Sequence, residues 1–271
     1  MSMDYEKATV TELIDALCEQ ERHPDLELIR ALLKRGDEVV LELGEVVECD
    51  TSWPQIHAAL LLCELRAESA LPALRRAMSA SERHGLVDWL TDDALDKFGP
   101  AALDVLEAVA ADRAVEWYPR AVTCRVMMTI ALRHPQAYDR VTAFLRSLLP
   151  APDLDWQSYE SYEAIKEAVD DPQVWTSVVA RLCDLRDPKA YDLIGQLFQE
   201  GLIDEMAVDP ETYQEMYQKS GPPASFSKEP VSLMDRYERN SPRKMPKSTK
   251  RTPIASQKRK RRKRRKRKKR R

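Results

Sequence analysis

Apolar residues recur along this chain at the spacing of one helix face. Ala58, Leu61, Leu62 and Leu65 form one stripe, Ala102, Val105, Leu106 and Val109 a second, and Ala190, Leu193, Ile194 and Leu197 a third. Steps of three and four residues keep side chains on one side of an α-helix, so each stripe predicts an amphipathic helix with that side buried. Two more helices are predicted before them. Thr9 and Glu12 have the spacing of a capping box ahead of Leu13, Ile14 and Leu17, and Ile29, Leu32 and Leu33 mark the next helix.

The stripes carry a repeated signature. Pro100-Ala101-Ala102-Leu103-Asp104, Pro135-Gln136-Ala137-Tyr138-Asp139 and Pro188-Lys189-Ala190-Tyr191-Asp192 share one form. Leu132-Arg133-His134-Pro135 echoes Leu185-Arg186-Asp187-Pro188, and Leu62-Cys63-Glu64-Leu65-Arg66 matches Leu182-Cys183-Asp184-Leu185-Arg186. The anchor alanines Ala70, Ala102, Ala137 and Ala190 stand 32, 35 and 53 residues apart, and Pro150 to Asp155 reads as an insertion in the long step. One unit is therefore a helix, a short turn at Leu-Arg, and a second helix with proline at or near its first turn. Asp171, Asp187 and Asp209 each precede a proline, the place of a capping carboxylate. A unit this short cannot bury its own apolar face, whereas stacked copies can. The expectation is an all-α fold, a HEAT/armadillo-like α-α superhelix over residues 1–219, followed by a disordered linker and polybasic tail over 220–271. A four-helix bundle gives no reason for the echo.

These units resemble HEAT-like repeats, with Ala70-Leu71-Pro72-Ala73-Leu74 as the matching signature. The segment from Leu197 to Glu205 is similar to one in an uncharacterised family of bacterial helical-repeat proteins whose members often end in a zinc-binding SEC-C tail. Arg239-Asn240-Ser241-Pro242 looks like the opening of that tail, but Arg243-Lys244-Met245-Pro246 follows without a cysteine. The resemblance, over residues 10–242, implies a helical scaffold, no metal site and no particular reaction.

Charge divides the chain in two. Residues 1–242 hold 24 basic and 45 acidic side chains, a formal −21, while residues 243–271 hold 19 basic and no acidic ones. The last fourteen are all cations: Lys258, Arg259, Lys260, Arg261, Arg262, Lys263, Arg264, Arg265, Lys266, Arg267, Lys268, Lys269, Arg270 and Arg271. A block that dense cannot fold alone and seeks anions. No aromatic follows Tyr237, so the block offers phosphate neutralisation without base stacking, and the expected partner is RNA or DNA backbone of any sequence. Nuclear import, an anionic membrane surface and contact with the acidic body are open readings of the same block.

Other chemistry is sparse. The cysteines at 18, 49, 63, 124 and 183 are odd in number and widely spaced, which predicts small buried hydrophobes in a reducing compartment. His23, His57, His84 and His134 form no ligand pair at helical spacing. The neighbours Asp92-Asp93 and Asp170-Asp171 cannot face each other on a helix and are expected to serve helix N-termini. No nucleophile elbow, phosphate loop or dinucleotide fingerprint is present. The expectation is a non-enzymatic scaffold with no catalytic, cofactor or metal residues, its repeat surface docking a protein partner. Trp89 and Trp175 are expected in the core, and Trp53 and Trp156 as the better candidates for exposed contacts. No run approaches the ~18 apolar residues of a membrane span and the acidic start lacks a secretory pattern, so a cytoplasmic location is expected, or a nuclear one in a nucleated cell.

Overall fold

The capping box forms as its spacing predicts. In the computed structural model, the Thr9 amide donates to the Glu12 carboxylate at 2.8 Å and the Glu12 amide donates to Thr9 Oγ1 at 3.3 Å, opening α1 (Val10–Cys18). The structure describes residues 4–49, 52–80, 84–91, 94–151, 155, 158–219 and 230–240. Among them every element is helical and none is a strand. The order continues with α2 (Leu26–Arg35), α3 (Val40–Glu48), α4 (Ser52–Leu65), α5 (Leu71–Ser79), α6 (His84–Thr91) and α7 (Leu103–Ala111). Then come α8 (Trp117–Arg133), α9 (Tyr138–Ser147), α10 (Tyr162–Ala168), α11 (Pro172–Leu185), α12 (Tyr191–Gln199), α13 (Pro210–Gln218) and α14 (Leu233–Asn240). Residues up to Tyr237 form one compact unit, and Glu238–Arg271 a second of which only 238–240 are described. The cationic block 258–271, Trp156, Asp92 and Asp93 lie outside the described residues.

The four anchor alanines occupy one structural position. Each is the residue immediately before a helix, with Ala70 leading α5, Ala102 α7, Ala137 α9 and Ala190 α12. Their backbone angles nearly coincide, φ running from −77 to −91° and ψ from −10 to −14°. All four are buried. The amides of Ala70, Ala137 and Ala190 donate to the carbonyls of Ala67, His134 and Asp187, at 2.9, 2.8 and 3.0 Å, closing the turn. Pro100, Pro135 and Pro188 sit in the turn just before the second helix, next to its first turn, where the missing N–H has no ladder to break. Pro172 and Pro210 do open helices, capped by the carboxylates of Asp171 and Asp209.

The Leu-Arg echo is equally literal. Arg66 and Arg186 both take the left-handed conformation, at φ 53 and 54°. The amides of Arg66 and Ala67 return to Cys63 and Leu62, as those of Arg186 and Asp187 return to Cys183 and Leu182. This is the usual glycine-type helix ending, made here with arginine, which carries a steric cost of ~1–2 kcal/mol per site. Arg186→Gly is expected to raise stability by about 0.5–1 kcal/mol, the relief being partly offset by unfolded-chain entropy, and Arg186→Val to lower it. Urea midpoints of the two variants check this.

Units touch mainly their neighbours. Helix α4 packs on α6, α6 on α8 and α8 on α11, while α3 packs on α5 and α5 on α7. Side chains tie one turn to the next: the Tyr138 hydroxyl donates to the Leu185 carbonyl at 3.0 Å, Arg146 pairs with Asp187, and Arg140 grips Glu107 at 2.7 Å. Gly99, at φ 58°, lies so near His134 that an added Cβ would stand 2.9 Å from Nε2. The long step between Ala137 and Ala190 accommodates α10, beyond the stretch read as an insertion. Helix α8 is buried on nearly all sides, from Ala121 and Cys124 to Met127, Met128 and Ile130.

Candidate functional site

The faces of α8 and α11 that do not bury in the core leave a groove of about 400 Å³ between them. Trp117, Ala121 and Arg125 follow one another at four-residue steps along α8, and Gln173, Ser177 and Arg181 do so along α11. Ala121, Ala180 and, from the turn after α12, Ala207 are its small lining residues. The Ser177 hydroxyl donates to the Ala121 carbonyl at 3.1 Å and fixes the two helices across it. The Thr176 hydroxyl donates to Pro172 at 3.0 Å and accepts the Asp204 amide at 3.1 Å, fixing the end wall. The Asp204 carboxylate is engaged by the Met206 amide at 2.9 Å.

Trp117 stands at the rim, 38 % exposed, edge-on to Tyr118 at 5.5 Å. Tyr118 donates to Asp88 of α6. Two cations lie further along the groove. Arg125 reaches the Thr91 hydroxyl at 3.1 Å. Arg181 has Nη1 at 3.3 Å from Asp184, and its Nε is buried with no acceptor. Burial holds the Asp184 carboxyl above the usual carboxylate range, with Arg181 pulling the other way.

Beyond Trp117 lies a second open cleft of about 840 Å³, lined by Arg113, Arg120, Lys166, Asp170 and Asp171. Its charges serve structure. Arg120, 2 % exposed, donates two parallel bonds to Asp170, at 2.7 and 2.6 Å, and Nε to the Ala110 carbonyl at 2.8 Å. Asp171 caps α11 through the Gln173 amide at 2.9 Å and meets Lys166 at 3.0 Å and the Tyr162 hydroxyl at 3.1 Å. Burial first, then Asp171, pushes that hydroxyl up to about 12. The Asp170-Asp171 pair thus divides into an ion-pair partner and a helix cap.

A third feature is an aromatic cluster around the C-terminal helix. Leu233 and Tyr237 of α14 are buried, and the Tyr237 hydroxyl lies 2.7 Å from Nδ1 of the buried His57 on α4. Nε2 of His57 lies 2.8 Å from the Glu21 carbonyl, which can only accept, so Nε2 carries the proton and Nδ1 accepts from tyrosine. Trp53 stacks on His57 and meets Trp89 edge-on at 5.9 Å. Arg236 covers the Trp89 ring at 4.7 Å, and the Leu233 amide donates to Glu64 at 3.2 Å. Leu233, Arg236 and Tyr237 belong to the stretch 220–271 read as linker and tail, and part of that stretch is helical and packed.

Trp175 is fully buried as expected, and Trp89 is half-buried at the core edge. Trp53 is half-buried within the aromatic cluster, and among the described residues the exposed tryptophan is Trp117. Of the five cysteines, Cys63, Cys124 and Cys183 are buried with thiols pushed up to about 12 by burial, whereas Cys18 and Cys49 are exposed, contrary to the expectation of buried hydrophobes. Among the described residues no cluster of His, Cys, Asp and Glu could hold a metal ion, and no helix is long and apolar enough to cross a membrane. No family model, curated protein or solved structure matches the chain.

Proposed function

We propose that this chain is a non-enzymatic, HEAT-like helical-repeat scaffold that docks a protein partner, with residues 258–271 adding electrostatic affinity for phosphate backbones. The observation that carries it is the four-fold recurrence of one turn around Ala70, Ala102, Ala137 and Ala190. Units that share a turn and touch mainly their neighbours are the parts of a stacked solenoid, an architecture that presents long surfaces to other macromolecules. In this reading α4, α6, α8 and α11 form one row and α5, α7, α9 and α12 the other. The α8–α11 groove, with its exposed tryptophan, is the docking surface.

A second reading makes the cationic block the working part and the chain a nucleic-acid-associated protein. The 19 basic residues and no acidic ones after Pro242 favour it. One comparison separates the two. Partners captured by the full chain and by a 1–242 truncation are identified, with RNA and duplex DNA binding measured across about 50–300 mM salt. The scaffold reading expects partners that survive truncation and resist nuclease, and nucleic-acid affinity that falls steeply with salt and vanishes with the tail. Partners that all require the tail and a nuclease-sensitive bridge support the second reading. Nucleic-acid binding by the 1–242 chain at moderate salt counts against assigning that affinity to the tail.

A further inference from the structure

We propose that Cys18 and Cys49 are a reversible dithiol–disulfide site, joined to one another by small disulfides such as oxidised glutathione and released by the corresponding thiols. The site lies apart from the α8–α11 groove and does not depend on the scaffold reading. Its first ground is exposure. Cys63, Cys124 and Cys183 are buried, whereas Cys18 and Cys49 are both open to solvent. A soluble oxidant can therefore reach these two and not the other three.

The second ground is placement. Cys18 is the last residue of α1, Cys49 is the cap that ends α3, and α1 packs on α3. The chain beyond each cysteine comes to one corner. After Cys18, the Glu21 carbonyl lies 2.8 Å from His57 Nε2, and the Arg22 guanidinium lies 6.0 Å from the centre of the Trp53 ring. After Cys49, the chain enters α4, the helix that carries Trp53 and His57. Residues three and four places after Cys18 therefore rest on residues eight and four places after Cys49. The thiols also feel one another: burial first, then the charges of Asp15 and Cys49, raise the Cys18 thiol above its ordinary value. Both cysteines stand at helix ends, which fray, so a small movement can bring their Cα atoms to the about 4.4–6.8 Å that a disulfide spans.

The chemistry is thiol–disulfide exchange. One cysteine gives up its proton, and its thiolate attacks a sulfur of the small disulfide, expelling half of it as a thiolate. The second cysteine, deprotonated in turn, attacks the protein sulfur of that mixed disulfide and expels the other half. Both protein thiols are oxidised, the small disulfide is reduced to two thiols, and the two protons pass to the departing thiolates. Because Cys18 is held protonated by burial and by Asp15, exchange quickens as pH rises. Once closed, the bond ties the end of α1 to the end of α3.

The test is treatment of the full chain with glutathione disulfide, read by intact mass and by peptide mapping without reduction. The expected product has lost two hydrogens and returns to its starting mass with dithiothreitol. Its Cys18–Cys49 cross-link should exceed that of any other cysteine pair by about ten-fold or more, since the fold holds these two thiols together. Cys18→Ser and Cys49→Ser alter one exposed atom each, so folding is not at stake. Each variant is expected to stop with one glutathione on the remaining exposed cysteine, because nothing resolves the mixed disulfide. In denaturing urea the unaltered chain should lose its preference and scatter cross-links over all five cysteines. A folded chain that ends with two glutathiones and no internal bond, stays fully reduced, joins either cysteine to a different one, or links two chains overturns the proposal. So does a Cys18–Cys49 cross-link that forms as readily in urea, because the fold would then not bring the pair together.

Discussion

Truncating Asp170 to alanine is expected to cost about 3–5 kcal/mol, because it strands a guanidinium that the fold has taken out of water. Arg120 is 2 % exposed and Asp170 15 %, so neither solvent nor salt can replace the lost partner. The effect should appear as a fall of roughly 6–20 °C in melting midpoint, at ~2–4 °C per kcal/mol for a body of this size. The pair matters by position: Arg120 reaches the end of α7 through the Ala110 carbonyl and the start of α11 through Asp170, so one side chain joins three helices. The double variant Arg120→Met/Asp170→Leu is expected to recover most of the loss, since an apolar pair of similar volume removes the stranded charge. It will not recover all of it, because the Ala110 carbonyl then lacks its donor. Urea unfolding of the three proteins decides the matter. A loss below about 1 kcal/mol for the single variant would mean that the pair behaves as an exposed one.

This pair also shows where the sequence stops being readable. The Asp170-Asp171 neighbours are visible as acids near a helix start, and Asp171 is the cap that its place before Pro172 suggests. Nothing local announces that Asp170 has a partner fifty residues upstream, or that an arginine lies inside α8. Helix α8 has no apolar stripe because it is buried on nearly every side, and periodicity reports only helices with a wet face. The turns, by contrast, were legible to the residue. Ala70, Ala102, Ala137 and Ala190 recur at the same buried place in the same turn, and one turn repeated four times leaves a sequence signal. The groove had a fainter trace. Trp117, Ala121 and Arg125 lie at four-residue steps, yet a tryptophan beside a helix start reads equally as core. Helix α14 was missed because eight residues in a polar stretch carry only two buried anchors, Leu233 and Tyr237.

Replacing Tyr237 with alanine is expected to release α14 while the rest of the body stays folded. A buried aromatic lost to alanine costs about 3–5 kcal/mol, but the cost to global stability is capped at whatever holds α14 in place. The excess appears as local opening. Amide exchange over Leu233–Tyr237 should quicken by roughly 10²–10³-fold, with the amides of α8 and α11 unchanged. Tyr237→Phe keeps the ring and strands only Nδ1 of His57, so about 1–3 kcal/mol of the same effect is expected. The histidine adds a pH dependence whose sign is fixed. Burial lowers the His57 pKa below its ordinary 6.5, with the bond to Glu21 opposing weakly, so the unfolded chain takes up a proton that the folded chain resists. The stabilisation is therefore fully present above pH 6.5 and is lost as pH falls from there through the folded value. Exchange at α14 should accelerate on acidification across that window in the native chain, and a His57→Gln variant should flatten the dependence. If Tyr237→Ala instead loosens α8 and α11 together with α14, the C-terminal helix is part of the cooperative core and not a separately docked segment.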